Sequence, residues 1–261
     1  MATPPMIPDS KNAICWIDRR DSMRIACSEV RGGGAVQRKQ CLGVSVVSAT
    51  WNERETLPKF IQRIHEALSN VPHEIIIIDD GSPDGTYTLA LELADKAICK
   101  KREGQSIALL VGIQMAQYPI VVTIDADLEN DPFNITRLVR ALERGYDTVV
   151  AVRPRLPRFS ERLFAAIVGR RLGVTDVLSN FRAMRREQVK HISLGRRETF
   201  GAEFLIRAYR LGLCIGEVQV AETPRRARPR IGGTVTANLR ILKALVISLM
   251  IMIKPKVEAL K

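Results

Sequence analysis

Four consecutive isoleucines, Ile75–Ile78, stand between Glu74 and the pair Asp79-Asp80. Successive side chains of a strand point to opposite faces, so an unbroken β-branched run needs cover on both faces. That is the situation of an interior strand in a parallel sheet layered between helices. The flanking pattern agrees. "GVSVVSA" from Gly43, "PIVVTIDAD" from Pro119 and "DTVVAV" from Asp147 are further apolar strands. Between them "NERETLPKFIQRIHEAL", "DGTYTLALELADK", "GQSIALLVGIQMA" and "DPFNITRLVRALERG" carry helical signals, the first with apolar residues at Leu57, Phe60, Ile61, Ile64 and Leu68. Strands alternating with helices predict an α/β fold with a mostly parallel, Rossmann-like sheet flanked by helices.

Sheets of this kind take ligands outside the carboxyl ends of their strands, and the polar residues gather there. Thr50-Trp51-Asn52-Glu53 follows the first strand, Asp79-Asp80-Gly81-Ser82 the second, and Asp125-Ala126-Asp127 the third. Carboxylates at i and i+2 leaving a strand point to one side, so Asp125 and Asp127 can converge on a hard cation, with Glu129 as an added ligand or water-mediated contact. Mg²⁺ or Mn²⁺ in such a site takes one or two carboxylates and fills its shell with water and phosphate oxygens. Taken alone, the Asp-x-Asp reads more simply as the cap of the next helix. The acids collected at the neighbouring strand ends favour the cation.

The charge is uneven. The 261-residue chain carries +12, and from Arg153 to Arg230 there are 17 arginines and one lysine against seven acids. Such a half suits an anionic partner, and arginine suits forked recognition of phosphate. A nucleic acid is disfavoured, because stacking aromatics are not interleaved with the basic residues. His65, His73 and His191 lack zinc spacing, and no P-loop or dinucleotide glycine fingerprint is present. The five cysteines form no Cys-x-x-Cys pair, which suits a reducing cytosol. The first 40 residues lack a sustained period and an apolar signal core, and are read as a poorly ordered extension. At the other end, "LRILKALVISLMIMIKPK" is an apolar helix too short to span a bilayer. Its expected uses are lying at a membrane surface, packing on the domain, or joining a second copy or a membrane partner subunit.

"VVSATWNERETLPKFI", "EIIIIDDGSPDGT", "GQSIALLVGI", "IDADLENDP" and "SNFRAMRRE" together resemble, in order and spacing, the family 2 glycosyltransferases of GT-A fold. The resemblance extends in particular to the branch of dolichol-phosphate mannosyltransferase and related polyprenyl-phosphate glycosyltransferases. It implies a catalytic domain over residues 41–233 and a C-terminal helix over 234–261. It also implies a nucleotide-sugar donor such as GDP-mannose or a UDP-sugar, a polyprenyl-phosphate acceptor, and Mg²⁺ or Mn²⁺ as cofactor. The expected place of work is the cytoplasmic face of the membrane, or the cytoplasm.

By position, Thr50, Trp51 and Glu53 match the family's first nucleotide-contacting loop, with Trp51 for the usual Tyr and Ala49 for the usual Pro. Asp79 and Asp80 match the acid that reads base or ribose, and the sequence does not separate the two. Asp125, Ala126 and Asp127 match the metal-binding motif, with Glu129 where mannosyltransferases usually carry Gln. Arg153 matches a basic residue that approaches the phosphates. Asp176, Ser179, Phe181 and Arg182 match Asp-x-x-Ser-Gly-Phe-Arg, with Asn180 in place of Gly. Glu203 matches an acid on the acceptor-side helix. Arg230, Gly233 and Thr234 fit a phosphate loop whose usual Lys is Val235 here. Asp127, Arg153 and Arg182 are the expected catalytic residues, and the simpler role for Arg182 is a structural pair with Asp176. A sugar-phosphate nucleotidyltransferase is the alternative enzyme, and "SATWNERE" lacks its glycine-rich loop.

Overall fold

The computed structural model describes residues 43–190, 192, 200–221 and 234–253. The N-terminal extension, Arg230, Gly233 and the arginines 225, 226 and 228 lie outside the described residues. The sheet has seven strands: β1 (Val44–Thr50), β2 (His73–Asp79), β3 (Lys96–Cys99), β4 (Ile120–Thr123), β5 (Thr148–Val152), β6 (Arg182–Arg185) and β7 (Ile215–Gln219), in the spatial order β3-β2-β1-β4-β6-β5-β7. β6 is antiparallel to both its neighbours, and every other pairing is parallel.

The isoleucine run behaves as its composition requires. Ile75 and Ile77 face one apolar layer with α1 (Leu57–Ala67) and α4 (Ile135–Glu143). Ile76 and Ile78 face the other, with α3 (Gln105–Met115) and α8 (Phe200–Arg210). All four are fully buried. α2 (Thr86–Leu93) and the short α7 (Arg186–Lys190) complete the flanking helices on this part of the chain. After β5 the chain runs through α5 (Phe159–Phe164), a π-helical turn over Ala165–Gly169 and α6 (Arg170–Leu172). α9 (Thr234–Ile253) lies against α5 and α8.

Two strands differ from the sequence expectation. The helical reading of "DGTYTLALELADK" runs through Lys96, but α2 stops at Leu93 and Lys96–Cys99 forms the edge strand β3. The cause is tertiary: Lys96 bridges to the buried Glu74 of β2 at 2.8 Å and donates to the Met115 carbonyl at 3.1 Å. β6 inserts antiparallel between β4 and β5, which a simple strand-helix alternation does not anticipate. This insertion carries the Asp176–Arg182 segment to the middle of the sheet, beside the end of β4.

Candidate active site

β1 and β2 pair in register from Val44↔His73 to Thr50↔Asp79, so both strands end on one line. Asp79 is fully buried and accepts from Ser82 Oγ at 2.5 Å, the Ser82 amide at 2.7 Å, the Gly81 amide at 3.1 Å and Thr50 Oγ1 at 3.2 Å. It therefore builds the turn after β2. Asp80 faces the other way and accepts the amides of Glu103 and Gly104 at 3.0 and 2.9 Å and the Lys100 ammonium. The tertiary structure thus separates two acids that the sequence does not, and Asp80 fastens the loop between β3 and α3.

Trp51, just past β1, is half-buried, and Arg102 of that loop lies over its ring at 3.8 Å from the centroid. Asn52 takes a left-handed φ of 55°, a conformation that Asn tolerates best after Gly. Its amide donates to Ser82 Oγ at 2.9 Å, joining the two strand-end loops. Glu53 is buried; its amide donates to Thr86 Oγ1 at 3.0 Å and its carboxylate accepts from Thr56 Oγ1 at 2.8 Å.

Asp125 and Asp127 follow β4 in a turn, both half-buried, with the intervening Ala126 side chain in the apolar layer. Asp127 Oδ1 accepts the Glu129 amide at 3.1 Å. Leu128 between them has φ 62°, a strained conformation for a branched residue held in place by this turn. Gln105, absent from the sequence-derived candidates, donates from Nε2 to Asp125 Oδ1 at 2.5 Å, while its Oε1 accepts from Asn180 Nδ2 at 3.1 Å. Nothing in a lone Gln at a helix start signals this role.

Among the described residues no three His, Cys, Asp or Glu side chains are gathered as a metal cage. Two half-buried aspartates in one turn nevertheless fit Mg²⁺ or Mn²⁺, since these hard ions keep most of their shell for water and phosphate.

On the far side, Arg153 follows β5 and grips the buried Asp176 from Nε at 2.6 Å and Nη2 at 3.3 Å, with buried Glu161 at 3.7 Å. The ion pair of Asp176 is thus with Arg153. Arg182 begins β6, where sheet neighbours and helices enclose it, and it is fully buried. Its Nη1 donates to the Gly201 carbonyl at 3.0 Å and its Nη2 to the Ser179 carbonyl, with the guanidinium beside Phe200 and Phe204 at 5.5 and 5.4 Å. Burial lowers its pKa to about 9, against the opposing pull of Asp176 and Asp125. Glu203, buried on α8, accepts two bonds from Arg207, at 2.7 and 3.0 Å. Arg182 thereby ties the Asp176–Arg182 segment to the start of the helix that carries Glu203.

The family model for glycosyl transferase family 2 matches residues 45–194, more than half of the chain, and runs from the second residue of β1 past the end of β6. The chain belongs to glycosyl transferase family 2. It is 35% identical over 159 residues to the undecaprenyl-phosphate 4-deoxy-4-formamido-L-arabinose transferase of Pseudomonas syringae pv. syringae, a match covering 55% of this chain and 47% of that protein. It is 34% identical over 170 residues to the dolichol-phosphate mannosyltransferase of Pyrococcus furiosus, covering 58% and 48%. The chain spans about half the length of the curated relatives it matches. Among solved structures it resembles glucosyl-3-phosphoglycerate synthase from Mycobacterium tuberculosis in complex with Mn²⁺, UDP and glucosyl-3-phosphoglycerate, with TM-score 0.65, 25% identity and coverage of 80% of this chain and 79% of that one. The seven-stranded mixed sheet flanked by helices is a GT-A-like fold.

Proposed function

We propose that this protein transfers a hexose from a nucleotide sugar, GDP-mannose or a UDP-sugar, to a polyprenyl phosphate at the cytoplasmic face of a membrane, with Mg²⁺ or Mn²⁺. The observation that carries the reading is the placement of Asp125 and Asp127 beyond β4, beside the Thr50–Asp79 strand ends, in a chain of this family. The names of the curated relatives support a polyprenyl-phosphate acceptor. Trp51 offers an aromatic face to the base, and Asp80 is placed to fix the loop beside it.

Asp125 and Asp127 are the residues that would hold the metal, and the bound ion would offset charge developing on the leaving nucleoside diphosphate. A phosphate monoester has its second pKa at ~6 and is largely dianionic at neutral pH, so its oxygen can attack the anomeric carbon, with inversion, without a strong base from the protein. The chain's task is then to hold two anionic groups together, which suits its arginine-rich half. The test is incubation of the protein and membranes with Mg²⁺ or Mn²⁺ and a panel of radiolabelled GDP- and UDP-sugars, following label into the organic phase. Lipid-extractable product is expected with one donor and is expected to vanish in Asp127→Ala. No extractable product with any donor would overturn the acceptor assignment. Label transferred instead to a water-soluble phosphorylated acid would favour an acceptor of the kind named for the solved relative.

A further inference from the structure

α9 buries one side and exposes a second apolar stripe on the other. Ala244, Leu245, Ser248 and Ile251 are buried against the protein. Leu239, Leu242, Val246, Met250 and Ile253, spaced 3, 4, 4 and 3 residues apart, remain between 36% and 81% exposed. At about 100° per residue, this spacing gathers the five on one narrow face opposite the buried side. A soluble helix packed on its own domain places polar residues there, so five large apolar side chains in line call for an occupant.

The charge around the stripe identifies that occupant. Arg240 and Lys243 are exposed beside it, and α9 itself carries no acid from Thr234 to Ile253. The neighbouring helix extends the same character. α9 packs on α5, joined by Ser160 Oγ donating to Asn238 Oδ1 at 2.5 Å. Along α5 and α6, Phe159 and Ile167 are exposed, as are Arg162, Arg170 and Arg171, while the segment's one acid, Glu161, is buried. A second copy of this chain would bring the same basic residues into contact and leave them unmatched. An anionic lipid surface satisfies both features, taking the stripe into the acyl boundary and the cations among the headgroups. Among the described residues no helix is long and apolar enough to cross a membrane, and α9 already has one side committed to the protein.

We propose that the outer face of α9, continued by α5 and α6, is a docking surface for an anionic membrane, holding the protein in the plane where a lipid acceptor emerges. Glu161 of α5 contacts Arg153 at the end of β5, so the docked face adjoins the candidate site. The inference rests on the polyprenyl-phosphate reading for its purpose, but its test does not.

The purified full chain is floated with vesicles of phosphatidylcholine alone and of phosphatidylcholine mixed with phosphatidylglycerol. Binding to the mixed vesicles is expected, weakening as salt screens the cations. Leu242→Ser/Val246→Ser/Met250→Ser should lower partitioning by about tenfold or more, because the methylenes it removes no longer leave water. Arg240→Glu/Lys243→Glu should abolish the preference for anionic over neutral lipid. Both variants should keep the far-UV circular dichroism and the thermal unfolding transition of the unsubstituted protein, which shows that they fold. A protein that stays in the aqueous fraction, a serine variant that floats undiminished, or light scattering showing a dimer that the serine variant dissociates would each overturn the proposal. Transfer to a short, water-soluble prenyl phosphate needs no bilayer, so its presence or absence reports on the transferase reading separately.

Discussion

Asn180 stands where the family's motif has glycine, and its side chain is put to use. Its Nδ2 donates to Gln105 Oε1, which leaves Gln105 Nε2 directed at Asp125 Oδ1. In the proposed role of Asp125 as a metal ligand its carboxylate would depend on this outer partner, and loss of such a partner commonly lowers metal affinity by about 10–100-fold. Gln105→Ala is therefore expected to weaken Mn²⁺ binding by about tenfold in the presence of a nucleoside diphosphate, read by calorimetry, with little change in thermal stability. Unchanged affinity would show that the bond does not orient Asp125.

Gly201 tests the other side of the site. A methyl group there would lie 2.9 Å from Arg182 Nη2 and 3.2 Å from the Leu178 and Val177 carbonyl oxygens, and the buried guanidinium has no room to retreat. Gly201→Ala should destabilise by about 1–3 kcal/mol, the usual cost of overpacking, measured by chemical unfolding. Retained stability would mean that Arg182 is less confined than its burial implies.

At the scale of elements, Glu74 joins four pieces of the sheet region. It accepts from Ser45 Oγ of β1 at 2.6 Å and from the Gln117 amide ahead of β4 at 2.7 Å, and it pairs with Lys96 of β3 at 2.8 Å from its own place in β2. Burial by itself would raise its pKa, but the bonds from Lys96, Ser45 and Gln117 outweigh this and hold it below the ordinary carboxylate value. A carboxyl with a lower pKa folded than unfolded contributes stability that is present above the unfolded value and lost as pH falls through the folded one. Stability is therefore expected to drop on acidification below the ordinary carboxylate range. Glu74→Gln should flatten that part of the curve while lowering stability at neutral pH, as seen by denaturant unfolding across pH. An acid limb unchanged in the variant would assign it to other carboxyls.

At the scale of the whole molecule, α9 belongs to the core on one side and faces outward on the other. Leu245 is buried between α9 and the layer containing Phe164 and Phe204, whereas its neighbour Val246 is exposed. Leu245→Ala should cost about 2–5 kcal/mol, the range for removing a buried leucine side chain, and Val246→Ala close to nothing. Thermal unfolding of the two variants measures the contrast, and equal effects would refute the assignment of faces.

The isoleucine run at 75–78, the apolar stripe of α1 and the acids after three strands determined the layered fold and the edge on which a site would form, because side-chain period and chain polarity act locally and leave their mark in order. Local pattern had no access to partners distant along the chain. β3 forms by pairing with β2, where Lys96 meets Glu74, and β6 by pairing with both β4 and β5. The different duties of Asp79 and Asp80, the pairing of Asp176 with Arg153, the hold of Gln105 on Asp125 and the outward face of α9 were likewise decided only in three dimensions. Each depends on which groups burial brings within hydrogen-bonding reach, and a buried polar group must take whatever partner the packing supplies.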